Sequence, residues 1–250
     1  MHTSPIFPTV RILDLPFCAL AREKVLALAH RMAARHSFSC IFTPNAEMTL
    51  RASKDPVFAE RLHRADLLLP DGVGITAAAR FKGKRLTRIP GIDFAEELLA
   101  SAPQSGYRLF LLGAKPGVAA RAGKILTERY PHIRICGAQD GYYASGMESA
   151  VAEAVRAAKP NLLFVCLGSP RQEEWILRHK IPCLAIGLGG AFDVWSGRVR
   201  RAPTVLRRAG LEWLWRAAAD PKRLPRLLSL PMFAGRVLLS SEKSGENTAH

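Results

Sequence analysis

Seven short apolar runs, most of them followed by a stretch of helical periodicity, constrain this chain more than any single motif. They fall at Val10–Leu13, Phe38–Phe42, Leu67–Leu69, Arg108–Leu112, Ile133–Cys136, Leu162–Leu167 and Cys183–Gly187. Helical spacing occupies Ala19–Arg35, Pro56–Arg64, Ile92–Leu99, Val118–Arg129, Glu148–Ala157 and Arg171–Arg178. Successive strands separated by a helix's length of chain can pair in parallel, because each crossover has room to return over the sheet. The alternation therefore predicts an α/β fold, a largely parallel sheet with helices on both faces. At 250 residues the chain is long enough for one large core and a small appendage.

In an open parallel sheet, ligands sit just beyond the carboxyl ends of the strands. Two of the apolar runs stop at polar, turn-prone residues, Thr43-Pro44-Asn45 and Pro70-Asp71-Gly72. These stops would place Thr43, Asn45 and Asp71 in one crevice, with Arg88 of "LTRIPGID" as a further polar residue. A lone Asp before Gly is by itself most often a turn residue. "LLGAKPG" (111 to 117) ends a strand and opens a helix, whose first N–H groups suit a phosphate. It is not G-x-G-x-x-G, which removes the usual sign of a nucleotide-dependent oxidoreductase. In "CLGSPRQEEW" (166 to 175) Gly168 and Pro170 shape a turn and put Gln172 and Glu173 in the first helical turn. Helix capping accounts for Glu173 and less well for Gln172. "IGLGGAFDVWSG" (186 to 197) is rich in glycine and carries one acid, Asp193.

The formal net charge of +15 favours an anionic partner. From Arg198 to Arg236 ten basic residues stand against Glu212 and Asp220, a surplus of eight. There the alternation gives way to helical patterns only. The chain thus divides into an α/β core (1–197), a helical, basic appendage (198–239) and a polar tail expected to be disordered (240–250). Trp213 and Trp215 sit at helix spacing beside Leu211 and Leu214, a pattern of core or membrane contact rather than base stacking. A basic nucleic-acid-binding module is the competing reading, and no nucleic-acid partner is expected.

Five cysteines are scattered without C-x-x-C, and Cys40, Cys136, Cys166 and Cys183, in apolar strand-like runs, read as small buried hydrophobes of a reducing compartment. "MHTSPIFPTV" lacks the basic start and apolar run of a signal peptide, and no transmembrane helix is expected. No histidine pair or strand-end D-x-D offers a metal site, and G-x-S-x-G is missing.

Seven pieces, in order, resemble the WecG/TagA/CpsF family of bacterial glycosyltransferases (glycosyltransferase family 26): "TPNAEM", "ADLLLPDGVGI", "RIPGID", "FLLGAKPGVA", "LGSPRQEEW", "GLGGAFDVWSGRVRRAP" and "GLEWLWRAAADPKRLPR". The resemblance implies a Rossmann-like core and an inverting transfer with no metal or other cofactor. The implied donor is a UDP-sugar carrying N-acetylmannosamine or a related hexose or uronic acid. The implied acceptor is N-acetylglucosamine on undecaprenyl diphosphate, in teichoic acid or surface polysaccharide synthesis. It implies a peripheral protein on the cytoplasmic face of an anionic membrane, and a trimeric homo-oligomer. Asp71 matches the family's proposed base, Thr43 and Asn45 its donor-sugar contacts, and Arg88 and Gln172 polar residues of the same pocket. Arg216, Arg223 and Arg226 match the family's appendage arginines, expected to close over the site at the acceptor and the diphosphate of the departing UDP. The expected donor-binding set is Gly113, Ala114, Asp140, Gly141, Tyr142, Gly168, Pro170, Gly189, Gly190 and Asp193.

Overall fold

A computed structural model describes residues 7–103, 106–144, 146–209, 211–212, 214–215 and 229–245. Six strands, β3 (Ser39–Phe42), β4 (Leu67–Leu68), β5 (Arg108–Gly113), β6 (Arg134–Gln139), β7 (Leu162–Cys166) and β8 (Leu184–Gly187), form a sheet in the order β4-β3-β8-β7-β5-β6. Every pairing in it is parallel. Alternate residues of a strand point to opposite faces, and both faces here are covered. Cys40, Phe42, Leu163, Val165 and Ala185 enter one core, while Ile41, Leu162, Phe164, Leu184 and Ile186 enter the other. That is why the apolar runs show no polar alternation.

The second core is closed by α1 (Arg22–Ala34), α5 (Gly91–Ala100), α6 (Val118–Arg129) and α9 (Ala191–Trp195). The first is closed by α2 (Ala46–Ala52), α3 (Pro56–His63), α4 (Val73–Phe81), α7 (Glu148–Ala157) and α8 (Arg171–His179). Asn45 and Asp55 start α2 and α3 by accepting from Met48 N and Phe58 N at 3.0 Å, and Pro56 opens α3 with a preset φ. The chain leaves β3 toward the first core and β8 toward the second. Two adjacent strands whose connections part in this way leave a crevice at their carboxyl ends.

A small antiparallel hairpin, β1 (Thr9–Ile12) and β2 (Leu15–Cys18), completes the first core. The sequence pattern extends the first strand to Leu13, where the structure ends it at Ile12, and gives no sign of β2. The reason is its turn: Leu13 and Asp14 both take positive φ (46° and 69°), a tight two-residue connection that normally announces itself with Asn or Gly.

The basic C-terminal segment packs onto this core at two places. Arg201 pairs with Asp93 and with Glu96 (3.3 Å), and Arg207 with Asp93 (3.4 Å), beside the short α10 (Thr204–Arg208). The last helix, α11 (Ser229–Gly245), lies on α2 and α4. Its Phe233 and Val237 are each 3% exposed, and a side chain at Gly74 of α4 would meet Ala46, Leu230 and Phe233. α11 also takes in 240–245, read from sequence as disordered tail; 246–250 lie outside the described residues.

Since Phe233 is a core residue, Phe233→Ala should cost about 3–5 kcal/mol, as burial of a phenylalanine implies. Chemical denaturation measures it. An unchanged midpoint would mean that α11 does not hold the α2–α4 face.

Candidate active site

The floor of the crevice between β3 and β8 is built by polar side chains filling spaces that glycines leave. Gln172, in the first turn of α8, lies against Gly187 at the end of β8: a Cβ there would come within 2.9 Å of its Nε2. Its Oε1 accepts from Gly189 N at 3.0 Å, holding the turn that leads into α9. Its Nε2 donates to Glu173 Oε1 at 2.8 Å. Across the floor, Thr43 Oγ1 donates to Gly187 O at 3.5 Å, and a Cβ on Gly91, the first residue of α5, would meet that hydroxyl at 2.9 Å. Glycine at 187 and 91 is therefore needed for Gln172 and Thr43 to fit. Although it follows a strand-end loop, Gln172 is only 4% exposed. A long side chain on the first turn of α8 folds inward here because the backbone of Gly187 and Gly189 offers it both space and a donor.

Asp71 stands beside this floor, half-buried, on the loop from β4 to α4. Its N–H donates to Pro44 O (3.3 Å), and Ile89 N donates to Pro70 O (2.9 Å), so three loops are stitched together. Gly72 follows it with φ +83°, a conformation that side chains disfavour, and caps α4. Asn45 belongs to the same rim, with its carboxamide committed to the start of α2.

Arg88 departs from expectation. Its guanidinium donates to Arg207 O at 2.6 Å and lines a polar cavity of about 540 Å³ with Arg22, Asp93, Glu96, Thr204 and Arg207. It ties the C-terminal segment to the loop before α5 rather than pointing into the β3–β8 crevice. Asp193 likewise pairs with Arg198 at 2.9 Å. Of the other expected donor-binding residues, Gly113, Ala114 and Gly141 have structural reasons for their positions. A Cβ on Gly113 would lie 2.4 Å from the Cys166 carbonyl, Ala114 N donates to Cys166 O, and Gly141 N donates to Ala114 O (both 2.9 Å). Asp140 closes a local turn by accepting from Tyr142 N at 2.9 Å, which leaves the Tyr142 ring exposed. Gly168 (φ +77°), Pro170 and Gly189 (φ +58°) shape the turns flanking Gln172, and Gly190 precedes α9. Arg216, Arg223 and Arg226 lie outside the described residues.

Sequence reasoning missed the role of Glu173, which it took for a helix-dipole residue. The carboxyl is fully buried, and its Oε2 has no hydrogen-bond partner among the described residues. Burial pushes its pKa up, with the Gln172 amide foremost among the groups that offset this. Its signal in the sequence, a second polar residue after Gln172, is the same as that of an exposed helix start. Cys18, Cys40, Cys166 and Cys183 do act as buried hydrophobes, while Cys136 is half-buried: burial pushes the Cys40 and Cys183 thiols up to about 12, which leaves no thiolate for chemistry at either position.

The glycosyl transferase WecG/TagA/CpsF family matches residues 10–247, and so spans both the crevice and the C-terminal helices. The chain belongs to this family. Among relatives, an N-acetylglucosaminyldiphosphoundecaprenol N-acetyl-beta-D-mannosaminyltransferase of Bacillus subtilis (strain 168) is 41% identical over 202 residues, 79% of this chain and 78% of the relative. Proteins of the same name from Bacillus spizizenii and Staphylococcus aureus (strain NCTC 8325 / PS 47) are 39% and 34% identical, over 82% and 81% of this chain and 81% of each relative. As a WecG/TagA/CpsF protein the chain is a glycosyltransferase, and the crevice is its candidate active site.

Because the folded state holds the Glu173 proton more tightly than the unfolded chain does, this group favours folding below the ordinary glutamate pKa. That contribution is lost as pH rises through its elevated value. Glu173→Gln should therefore raise the thermal midpoint at neutral pH, with a gain that shrinks toward zero below about pH 4. Parallel stability curves for the two proteins would show that Glu173 titrates normally.

Proposed function

We propose that the protein transfers N-acetylmannosamine, or a closely related hexose or uronic acid, from a UDP-sugar to N-acetylglucosamine on undecaprenyl diphosphate. The observation that carries this reading is the convergence of Thr43, Asp71 and Gln172, from three separate family motifs, on one edge of the sheet. The names of the relatives supply the sugar and the acceptor.

In the proposed inverting displacement, the acceptor hydroxyl attacks the anomeric carbon from the face opposite UDP. A new glycosidic C–O bond forms as the bond to the diphosphate breaks. Asp71 takes the hydroxyl proton as the oxygen becomes nucleophilic. Negative charge gathers on the departing diphosphate, which needs cations or N–H groups nearby. Arg216, Arg223 and Arg226 are proposed for this task, since guanidinium groups bind phosphate oxygens in pairs. The mechanism needs no metal ion.

The acceptor's lipid requires a membrane surface, and we assign contact with it to the C-terminal segment. The outer side of α11 exposes Met232, Leu238 and Leu239 with Arg236 among them. Basic and apolar residues mixed on one face suit an anionic leaflet, where each cation contributes about 1 kcal/mol. No helix among the described residues is long and apolar enough to cross a membrane. We place the protein on the cytoplasmic face, where nucleotide sugars are made.

Two measurements test this reading. A panel of UDP-sugars with a lipid-diphosphate N-acetylglucosamine acceptor, read by mass, should yield a disaccharide-lipid with N-acetylmannosamine or a near relative. Asp71→Asn should lower kcat by about 10²–10⁴ while UDP-sugar affinity holds, the usual size of general-base help. A variant within a few-fold of wild type would remove Asp71 from the base role.

A further inference from the structure

We propose that Glu173 is a positioning residue for the donor site: its Oε1 fixes the Gln172 amide so that the amide oxygen faces Gly189 and holds the β8–α9 turn in its binding shape. The inference rests on the reading that this turn faces the sugar donor.

A buried carboxamide has two different ends, and each must meet the right partner. The Gly189 N–H can only donate, so the end of Gln172 lying 3.0 Å from it must be the oxygen. The NH2 end then needs an acceptor in a place that water does not reach. Glu173 Oε1 supplies it at 2.8 Å. Reversing the amide would set NH2 against N–H at Gly189 and oxygen against oxygen at Glu173, two repulsive contacts together. Burial favours the neutral acid at Glu173. With its proton on Oε2, Oε1 remains an acceptor, so the arrangement holds in the uncharged form as well.

Gln172 cannot relax away from an error, because it is wedged over Gly187 where not even a Cβ would fit. Gly187 in turn carries the carbonyl that accepts from Thr43. A misplaced amide would therefore shift the backbone of residues 187 to 189 and the Thr43 hydroxyl with it. Glu173 touches no substrate in this account. It acts through Gln172, from beneath the floor.

Two substitutions separate this role from mere burial. Glu173→Leu removes the acceptor and suits an apolar site, whereas Glu173→Gln keeps a carbonyl oxygen able to accept. Hydrogen exchange at the Gly189 amide, followed by NMR, reads the contact without any substrate; donor KM and kcat read its consequence. In the leucine variant we expect Gly189 exchange and donor KM each to rise by about tenfold, the scale of one lost hydrogen bond to a buried group. Its kcat should change less than its donor KM. The glutamine variant should restore both exchange and KM. Should leucine at 173 prevent folding, Glu173→Met removes the same acceptor with a more adaptable side chain. The proposal is overturned if Gly189 protection and KM survive loss of the acceptor, or if glutamine is as impaired as leucine. Wild-type protein that uses no UDP-sugar would overturn the donor reading, while Gly189 exchange would still decide whether Glu173 holds the turn.

Discussion

Burial of the central strands on both faces governs what this molecule can do and where. Every residue of β3, β7 and β8 is buried, so neither face of these central strands is left open to water. A strand in that position has no side chain to spare for chemistry. Polar function is then confined to residues just past the strand ends, where the backbone must turn and the helices have not yet closed over it. Thr43, Asp71 and Gln172 occupy such positions. The floor they share depends on missing side chains at Gly187 and Gly91, so the same crowding that fixes the sheet also fixes the site.

Electrostatics divide the basic C-terminal segment into two parts. Arg198, Arg201 and Arg207 are engaged with Asp193, Asp93 and Glu96, and the Arg88 guanidinium adds a hydrogen bond to the backbone of Arg207. Arg201 and Arg207 are less than a third exposed, so these pairs hold the segment against α5 more than they project charge. The surplus available to an anionic partner is thus smaller than the sequence count and, among the described residues, includes the exposed Arg200 and Arg236. One such residue, Arg236, lies among exposed apolar side chains on α11, while Phe233 and Val237 anchor the helix from the opposite side.

Much of this was legible in the sequence. The parallel sheet followed from apolar runs alternating with helical spacing, and the crevice from the polar stops at Thr43 and Asp71. What was not legible depended on neighbours distant in the chain. The inward fold of Gln172 follows from space at Gly187, fifteen residues on. The diversion of Arg88 follows from a carbonyl at Arg207, and the docking of α11 from a shallow surface at Ala46 and Gly74. Glu173 shows the limit clearly: an acidic residue in a first helical turn looks the same whether it meets water or the interior. The hairpin strand β2 escaped notice because Leu13 and Asp14 sit where a tight turn usually has Asn-Gly.

Donor chemistry is proposed at the carboxyl edge between β3 and β8. Hydrogen–deuterium exchange with and without UDP tests it most directly. Slowed exchange is expected at the three segments around Thr43–Asn45, Asp71–Gly72 and Gly187–Gly190, with the cavity lined by Arg22, Asp93 and Thr204 unaffected. Protection confined to that cavity, with no change at the strand ends, would contradict it.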